Sequence, residues 1–311
     1  MKPFIEEIGN ILKISRTDLI EKDIILHRLL LELSRDRQFR SNYLFKGGTC
    51  LIKFYLGYFR FSEGLDFSWK DQNYFNDLSS KKLRKSLSET IDDVGDRFEE
   101  ISRDIGLDFK CDKSDRTYVE LGGSGRMGTF KFWYPSEILK QQSFLKIQIN
   151  FVEKLIFQPR TVKLTSLVKI SDPQDLPLLF PDEFRDYSSE IKIGAYDIRE
   201  ILCEKVRAIL TRRGIKARDF VDLYLLSKQH KLDIKKFKQD IVDKMSFSLD
   251  LYEKYRQNFE EKKSIIDSDD FFNWGAEKDL ILIQLNDKEF YTYIKQLQNI
   301  FKSIVQQLDN Y

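Results

Sequence analysis

Apolar positions recur at helical spacing through residues 4–40, where Ile24, Ile25, Leu29, Leu30 and Leu33 form one stripe, so the chain is expected to open on helix. "YLFK" (43–46) is a short apolar run with the character of a buried strand. "TCLIKFYLGYF" then predicts a helix starting at Thr49, and "FRFSEGLDFSW" a returning strand. On such a strand Arg60, Ser62, Gly64 and Asp66 share one face, and Phe61, Glu63, Leu65 and Phe67 the other. Residues 76–106 are helical by period, with Leu83, Leu87, Ile91, Val94 and Phe98 at the apolar positions. "RTYVELGGSGRMGTFKFWYP" has two aromatic, β-branched arms around glycines, which predicts a hairpin. "SFLKIQINF" (143–151) alternates, placing Leu145, Ile147, Ile149 and Phe151 on one face and Phe144, Lys146, Gln148 and Asn150 on the other. The stretch 159–194 contains Pro159, Pro173, Pro177 and Pro181 and is expected to be mostly loop and short strand, forming an inter-domain passage. From Tyr196 to Tyr311 the pattern is almost wholly helical. An α+β domain over 1–195 followed by a helical bundle over 196–311 is the expected organisation.

The 311 residues are enough for a sizeable core and for two domains. A hydrophobic share of 41% with 33% charged residues fits a folded chain with a solvated surface. Fifty-two basic against fifty acidic residues leave a formal charge of +2, so a nucleic-acid partner has to be held by local clusters of charge. Cys50, Cys111 and Cys203 are far apart and odd in number, and His27 and His230 are the two histidines. A zinc site or disulfide framework is therefore not expected, and a reducing cytoplasm is. "MKPFIEEIGN" lacks an apolar signal core, and no run approaches the ~20 apolar residues of a membrane span.

Three segments carry candidate chemistry. "KGGT" (Lys46 to Thr49) places glycines, which let a phosphate approach the backbone, just before a helix whose first N–H groups favour an anion. Thr49 is positioned either to cap that helix or to donate to a phosphate oxygen. "RFSEGLDF" offers one carboxylate on its polar face, Asp66, because Glu63 points the other way. "REILCEKVRAILTRRGIKARDFVDLYLLSK" (199–228) holds six cations within fourteen residues: Lys205, Arg207, Arg212, Arg213, Lys216 and Arg218. Such a cluster coats a solvated helix face or neutralises a triphosphate or RNA backbone, and Arg213 is the candidate nucleotide contact. Asp219 and Asp222 follow one turn apart, with Asp219 a candidate metal ligand or general base. "GSGRMG" (123–128) matches a dinucleotide fingerprint in letters, but a hairpin surrounds it where a strand and helix are required, so it is expected to be a turn.

In their order and spacing, "GGT", "RFSE-x-LDF", "FLKIQINF" and "EILCEKVRAILTRRGIKARDFVDLYLL" resemble the AbiEii/AbiGii family of nucleotidyltransferase-like toxins, over roughly residues 25 to 230. The resemblance implies a polymerase-β-like nucleotidyltransferase lobe with a mixed sheet flanked by helices, plus a helical lobe. It implies nucleotide transfer from an NTP to an RNA hydroxyl (for some members tRNA) or a protein hydroxyl, in a toxin–antitoxin or abortive-infection setting with a separate antitoxin. Carried over, Gly47, Gly48, Thr49 and Ser62 would hold the triphosphate and Asp66 a Mg2+ or Mn2+ ion. Lys205 would contact phosphate, and Asp219 would assist catalysis. Two positions depart from the family pattern, since Gly64 stands where the first Asp of Asp-x-Asp belongs and Gln148 where a later strand carries a carboxylate. Magnesium prefers hard anionic oxygens, so the ion is expected to bind weakly. A catalytically impaired relative that binds nucleotide, RNA or antitoxin is the alternative expectation.

Overall fold

A computed structural model of the chain describes residues 1–75, 78–171 and 175–309. The fold is α+β, and the chain divides into two compact units, residues 1–153 with 159–195 and residues 154–158 with 196–311.

The first unit begins with α1 (Lys2–Leu12), α2 (Thr17–Arg35) and α3 (Arg37–Asn42), which occupy the expected helical stretch. There follow β1 (Tyr43–Lys46), α4 (Gly47–Cys50), β2 (Gly64–Trp69) and α5 (Ser80–Ile105). Residues 76 and 77 of the expected helix 76–106 lie outside the described residues. Next come β3 (Val119–Gly122), β4 (Met127–Pro135), β5 (Gln142–Asn150), β6 (Arg160–Leu164), α6 (Leu167–Ser171), α7 (Leu176–Leu179), α8 (Pro181–Ser188) and β7 (Ile191–Ala195).

The seven strands form one mixed sheet in the order β3-β4-β5-β2-β1-β7-β6. β1 runs antiparallel to β2, β2 parallel to β5, and β1 parallel to β7. The alternation of β5 is realised, with Leu145, Ile147 and Ile149 fully buried. They share the core with Leu87, Ile91, Val94 and Phe98 of α5 and Phe130 and Phe132 of β4. Each such side chain contributes about 1.5–3 kcal/mol of burial. The glycines at 123 and 125 turn the β3–β4 hairpin, as the failed fingerprint context requires.

Three local expectations change. The returning strand begins at Gly64 rather than Phe59, so strand alternation applies to Gly64, Asp66 and Ser68 but not to Arg60 or Ser62. Glu63 lies outside the strand and pairs with Lys22 at 3.2 Å. The helix after the glycines starts at Gly47 and widens over Leu51–Tyr55 into a π-turn closed by Leu56 N–H on the Leu51 carbonyl at 2.8 Å. The stretch 159–194 belongs to the first unit and is not a passage, because β6 and β7 complete the sheet; residues 172–174 of it lie outside the described residues.

The second unit contains α9 (Ile198–Thr211), α10 (Ala217–His230), α11 (Lys238–Leu251), α12 (Glu253–Ile265) and α13 (Asp287–Leu308). Residues 310 and 311 of the expected helical region are outside the described residues. Its core gathers Leu202, Val206, Leu210, Val221, Ile241 and Met245, with Phe290, Leu297, Phe301 and Ile304 from α13. Segment 154–158 belongs here for an electrostatic reason. Buried Glu200 accepts from the N–H groups of Ile156 and Phe157 at 2.9 and 2.8 Å, and from Lys244 Nζ at 2.6 Å.

Candidate functional site

In the first unit the strand register gathers the candidates on one polar face. Asp66 stands opposite Lys46 on β1 and opposite Gln148 on β5, and Gly64 stands opposite Lys146. The Asp66 carboxylate therefore sits between an amine-bearing and an amide-bearing neighbour in the register. Gln148 donates from Nε2 to Thr129 Oγ1 at 3.2 Å.

Both glycines of "KGGT" are closely approached by side chains. Gly47 has φ of 75°, and a Cβ there would lie 2.3 Å from Asp66 Oδ2. A Cβ on Gly48 would lie 2.4 Å from Arg60 Nη2. Arg60 is itself buried, with Nη1 donating to the Phe61 carbonyl at 2.8 Å. Thr49 is buried; its hydroxyl donates to the Gly64 carbonyl at 2.5 Å and lies 2.8 Å from Ser62 Oγ. Thus Gly47, Gly48, Thr49, Ser62 and Asp66 meet at one turn, and Thr49 ties that turn to the start of β2.

The Gly64 position resists a carboxylate, since a Cβ would lie 2.8 Å from the Lys146 carbonyl oxygen. Two charged neighbours were not assigned from sequence. Lys46 is buried and its Nζ lies 3.3 Å from Glu153 Oε2, which also accepts from Asn150 Nδ2 at 2.9 Å. Alternation predicts Arg60 on a strand face, but its approach to Gly48 depends on a chain reversal that periodicity does not encode. Among the described residues, no group of three or more His, Cys, Asp or Glu is placed to hold a metal ion.

In the second unit Lys205, on α9, reaches across to α10. Its Nζ lies 2.7 Å from Asp219 Oδ1 and 2.6 Å from Asp222 Oδ2. Arg212 Nη1 donates to the other oxygen of Asp219 at 2.5 Å. Both carboxylates are buried. Burial alone would raise the pKa of Asp219, but Lys205 and then Arg212 outweigh it and hold the carboxyl well below its ordinary range. Asp222 and Arg212 complete this constellation, and only their helical spacing and the cation count hinted at them. Arg213 is exposed, next to the constellation in sequence.

No sequence among curated proteins matches the chain. Similar solved structures include JHP933 from Helicobacter pylori, at 14% identity and TM-score 0.43 over 94% of each chain. A second H. pylori protein, described as a candidate nucleotidyltransferase, is 16% identical with TM-score 0.40, over 96% of this chain and 98% of its own. The family profile "Nucleotidyl transferase AbiEii toxin, Type IV TA system" matches residues 28–296, a span that contains every residue of both constellations. The chain belongs to the AbiEii nucleotidyl transferase toxin family.

Proposed function

We propose that this chain transfers a nucleotide from an NTP to a hydroxyl of RNA, with tRNA the first acceptor to try, or of a protein. Its setting would be a toxin–antitoxin or abortive-infection pair with a separately encoded antitoxin. The observation that carries the reading is the approach of Gly47 to Asp66, which brings a positive-φ turn free of side chains against a carboxylate. A triphosphate at that turn would meet backbone amides and the Ser62 hydroxyl on one side and Asp66 on the other.

Magnesium commonly keeps several waters and takes one or two carboxylates plus substrate phosphates. Asp66 with the triphosphate therefore suits one Mg2+ or Mn2+ ion arriving with its nucleotide, and that ion supplies charge neutralisation at the phosphates. At the two further positions where a second ion would need carboxylates the chain has Gly64 and Gln148. In the second unit, Lys205 is a cation fixed by two carboxylates and suited to phosphate charge. Asp219, with both oxygens engaged and its pKa depressed, suits positioning of Lys205 better than proton abstraction.

The second reading is an impaired relative that binds nucleotide, RNA or antitoxin without turnover. It is favoured by the amide of Gln148 opposite Asp66, where the family pattern has a carboxylate. The test is transfer of α-labelled nucleotide to total tRNA with each NTP, in magnesium and then manganese. Label from the native chain that vanishes in Asp66→Ala supports the enzyme. Label unaffected by that change removes Asp66 from the chemistry. Label from Gln148→Glu alone supports the impaired relative, as does salt-sensitive RNA binding that Arg213→Glu weakens and Asp66→Ala does not.

A further inference from the structure

The helical unit carries a second feature, at the C-terminal end of α10. There Lys231 takes φ of 54° and ends the helix, and a 3-10 turn at Ile234–Phe237 leads into α11. Between this corner and α13 lies a groove of about 820 Å3. Lys231, Lys235 and Lys238 line one side, and Gln296, Asn299 and Ser303 of α13 the other. None of the three lysine side chains is held in an ion pair among the described residues. Asp233, the carboxylate in the wall, accepts from the N–H of Lys235 at 3.0 Å, turned to its own backbone. The lining also includes apolar Ile234 and Ile300 and the Tyr293 ring, whose hydroxyl donates to the Leu223 carbonyl at 3.0 Å. A second groove of about 550 Å3 continues along α13, sharing Ser227, Tyr293 and Gln296. Its acid, Glu289, is engaged by Lys228 and by the Tyr224 hydroxyl.

Unpaired ammonium groups and the amides of Gln296 and Asn299 beside apolar lining match a chain of phosphates carrying flat bases, while the Ser303 hydroxyl donates to the Ile300 carbonyl at 2.8 Å. We propose that this groove docks the phosphodiester backbone of a single-stranded RNA segment. The proposal rests on the reading that RNA is the partner of this chain. From Asp219 to His230 the helix rises about 17 Å at ~1.5 Å per residue. At about 3.4 Å per stacked nucleotide that is roughly five nucleotides. A strand held in the groove is thereby contacted several nucleotides away from anything beside Lys205 and Asp219.

The test is fluorescence anisotropy of the full chain with a labelled single-stranded RNA of mixed sequence, from 50 to 200 mM salt. The native chain is compared with a Lys231→Gln/Lys235→Gln/Lys238→Gln variant whose fold is checked by thermal melting. With ~0.7 counterions released per phosphate contact on a single strand, removing three contacts lowers the slope of log K against log salt by about two. An unchanged slope in the folded variant overturns the proposal, and so does absence of RNA binding by the native chain. A loss equally large with poly-glutamate of matched charge also overturns it and assigns the groove to an acidic protein. The transfer assay separates this from the reading above. Transfer with an unchanged KM for RNA in the variant removes the groove alone; slope loss without any transfer by the native chain removes the enzyme alone.

Discussion

Gly64 and Gln148 hold the two positions where family relatives are expected to carry carboxylates, and they differ in what they would tolerate. A Cβ at Gly64 meets the Lys146 carbonyl at 2.8 Å, which is backbone and cannot swing away. Gly64→Asp is therefore expected to lower stability by about 1–3 kcal/mol, as overpacking does, read as a fall in thermal midpoint. Gln148→Glu is isosteric and adds charge beside Asp66, so it is expected to tighten magnesium binding with little change in melting. Equal melting of the two variants would contradict the packing argument. On the proposed function, Asp66→Ala is expected to cut nucleotide transfer by about a hundredfold or more, as loss of a charge-stabilising group does. In the second unit, Lys205→Ala leaves Asp219 and Asp222 buried, with Arg212 still bonded to Asp219. Breaking a buried pair this way costs about 3–5 kcal/mol, measurable by urea unfolding. Because the folded carboxyl of Asp219 lies below its ordinary 3.8, its contribution is complete above that pH and disappears as pH falls through the folded value. Asp219→Asn should remove that acid dependence.

Among the elements, α2 shows how buried polar groups fix the segment that follows the glycines. Lys53, in the π-turn, is fully buried and lies 3.0 Å from Asp23 Oδ1. Asp23 Oδ2 also accepts from the hydroxyls of Tyr58 at 2.7 Å and Tyr187 at 2.5 Å. One α2 carboxylate thus joins the π-turn, the loop after it and α8. His27, one turn further along α2, lies 3.2 Å from the Ser189 carbonyl through Nε2, while its Nδ1 is buried without a partner. Burial, and then the nearby Lys53 charge, push its pKa from 6.5 down to about 3. The unfolded chain binds a proton at that residue where the folded chain does not, so stability falls as pH drops from 6.5 toward 3. The slope from this residue is about 1.4 kcal/mol per pH unit. His27→Gln, which keeps a donor for Ser189, is expected to flatten the stability profile over that window. Parallel profiles for native and variant would refute the assignment. None of this network was visible in the helical period, which marks α2 as apolar and says nothing about which carboxylate meets which lysine.

For the molecule as a whole, a formal charge of +2 gives little long-range field, so the proposed RNA binding should depend on local clusters and weaken steeply with salt. Exposed Arg213 is one such charge; Arg213→Glu should reduce the salt slope by about one without shifting the melting temperature. Alternation along "SFLKIQINF", the aromatic hairpin arms and the helical run after Tyr196 determined most elements, because side-chain period is a local property of the backbone. Motif order also determined the family, and the same letters showed that Gly64 and Gln148 are not acids. The tertiary structure decided what depends on pairing between distant segments. The parallel register of β2 and β5 sets Asp66 beside Gln148, and Asp66 and Arg60 close in on the two glycines. The buried Glu200–Lys244 pair draws residues 154–158 into the helical unit, and β6 and β7 enter the sheet from a proline-rich stretch. Strand order and ion-pair choice are contacts between residues far apart in sequence, and a one-dimensional pattern constrains each partner's exposure without specifying the partner.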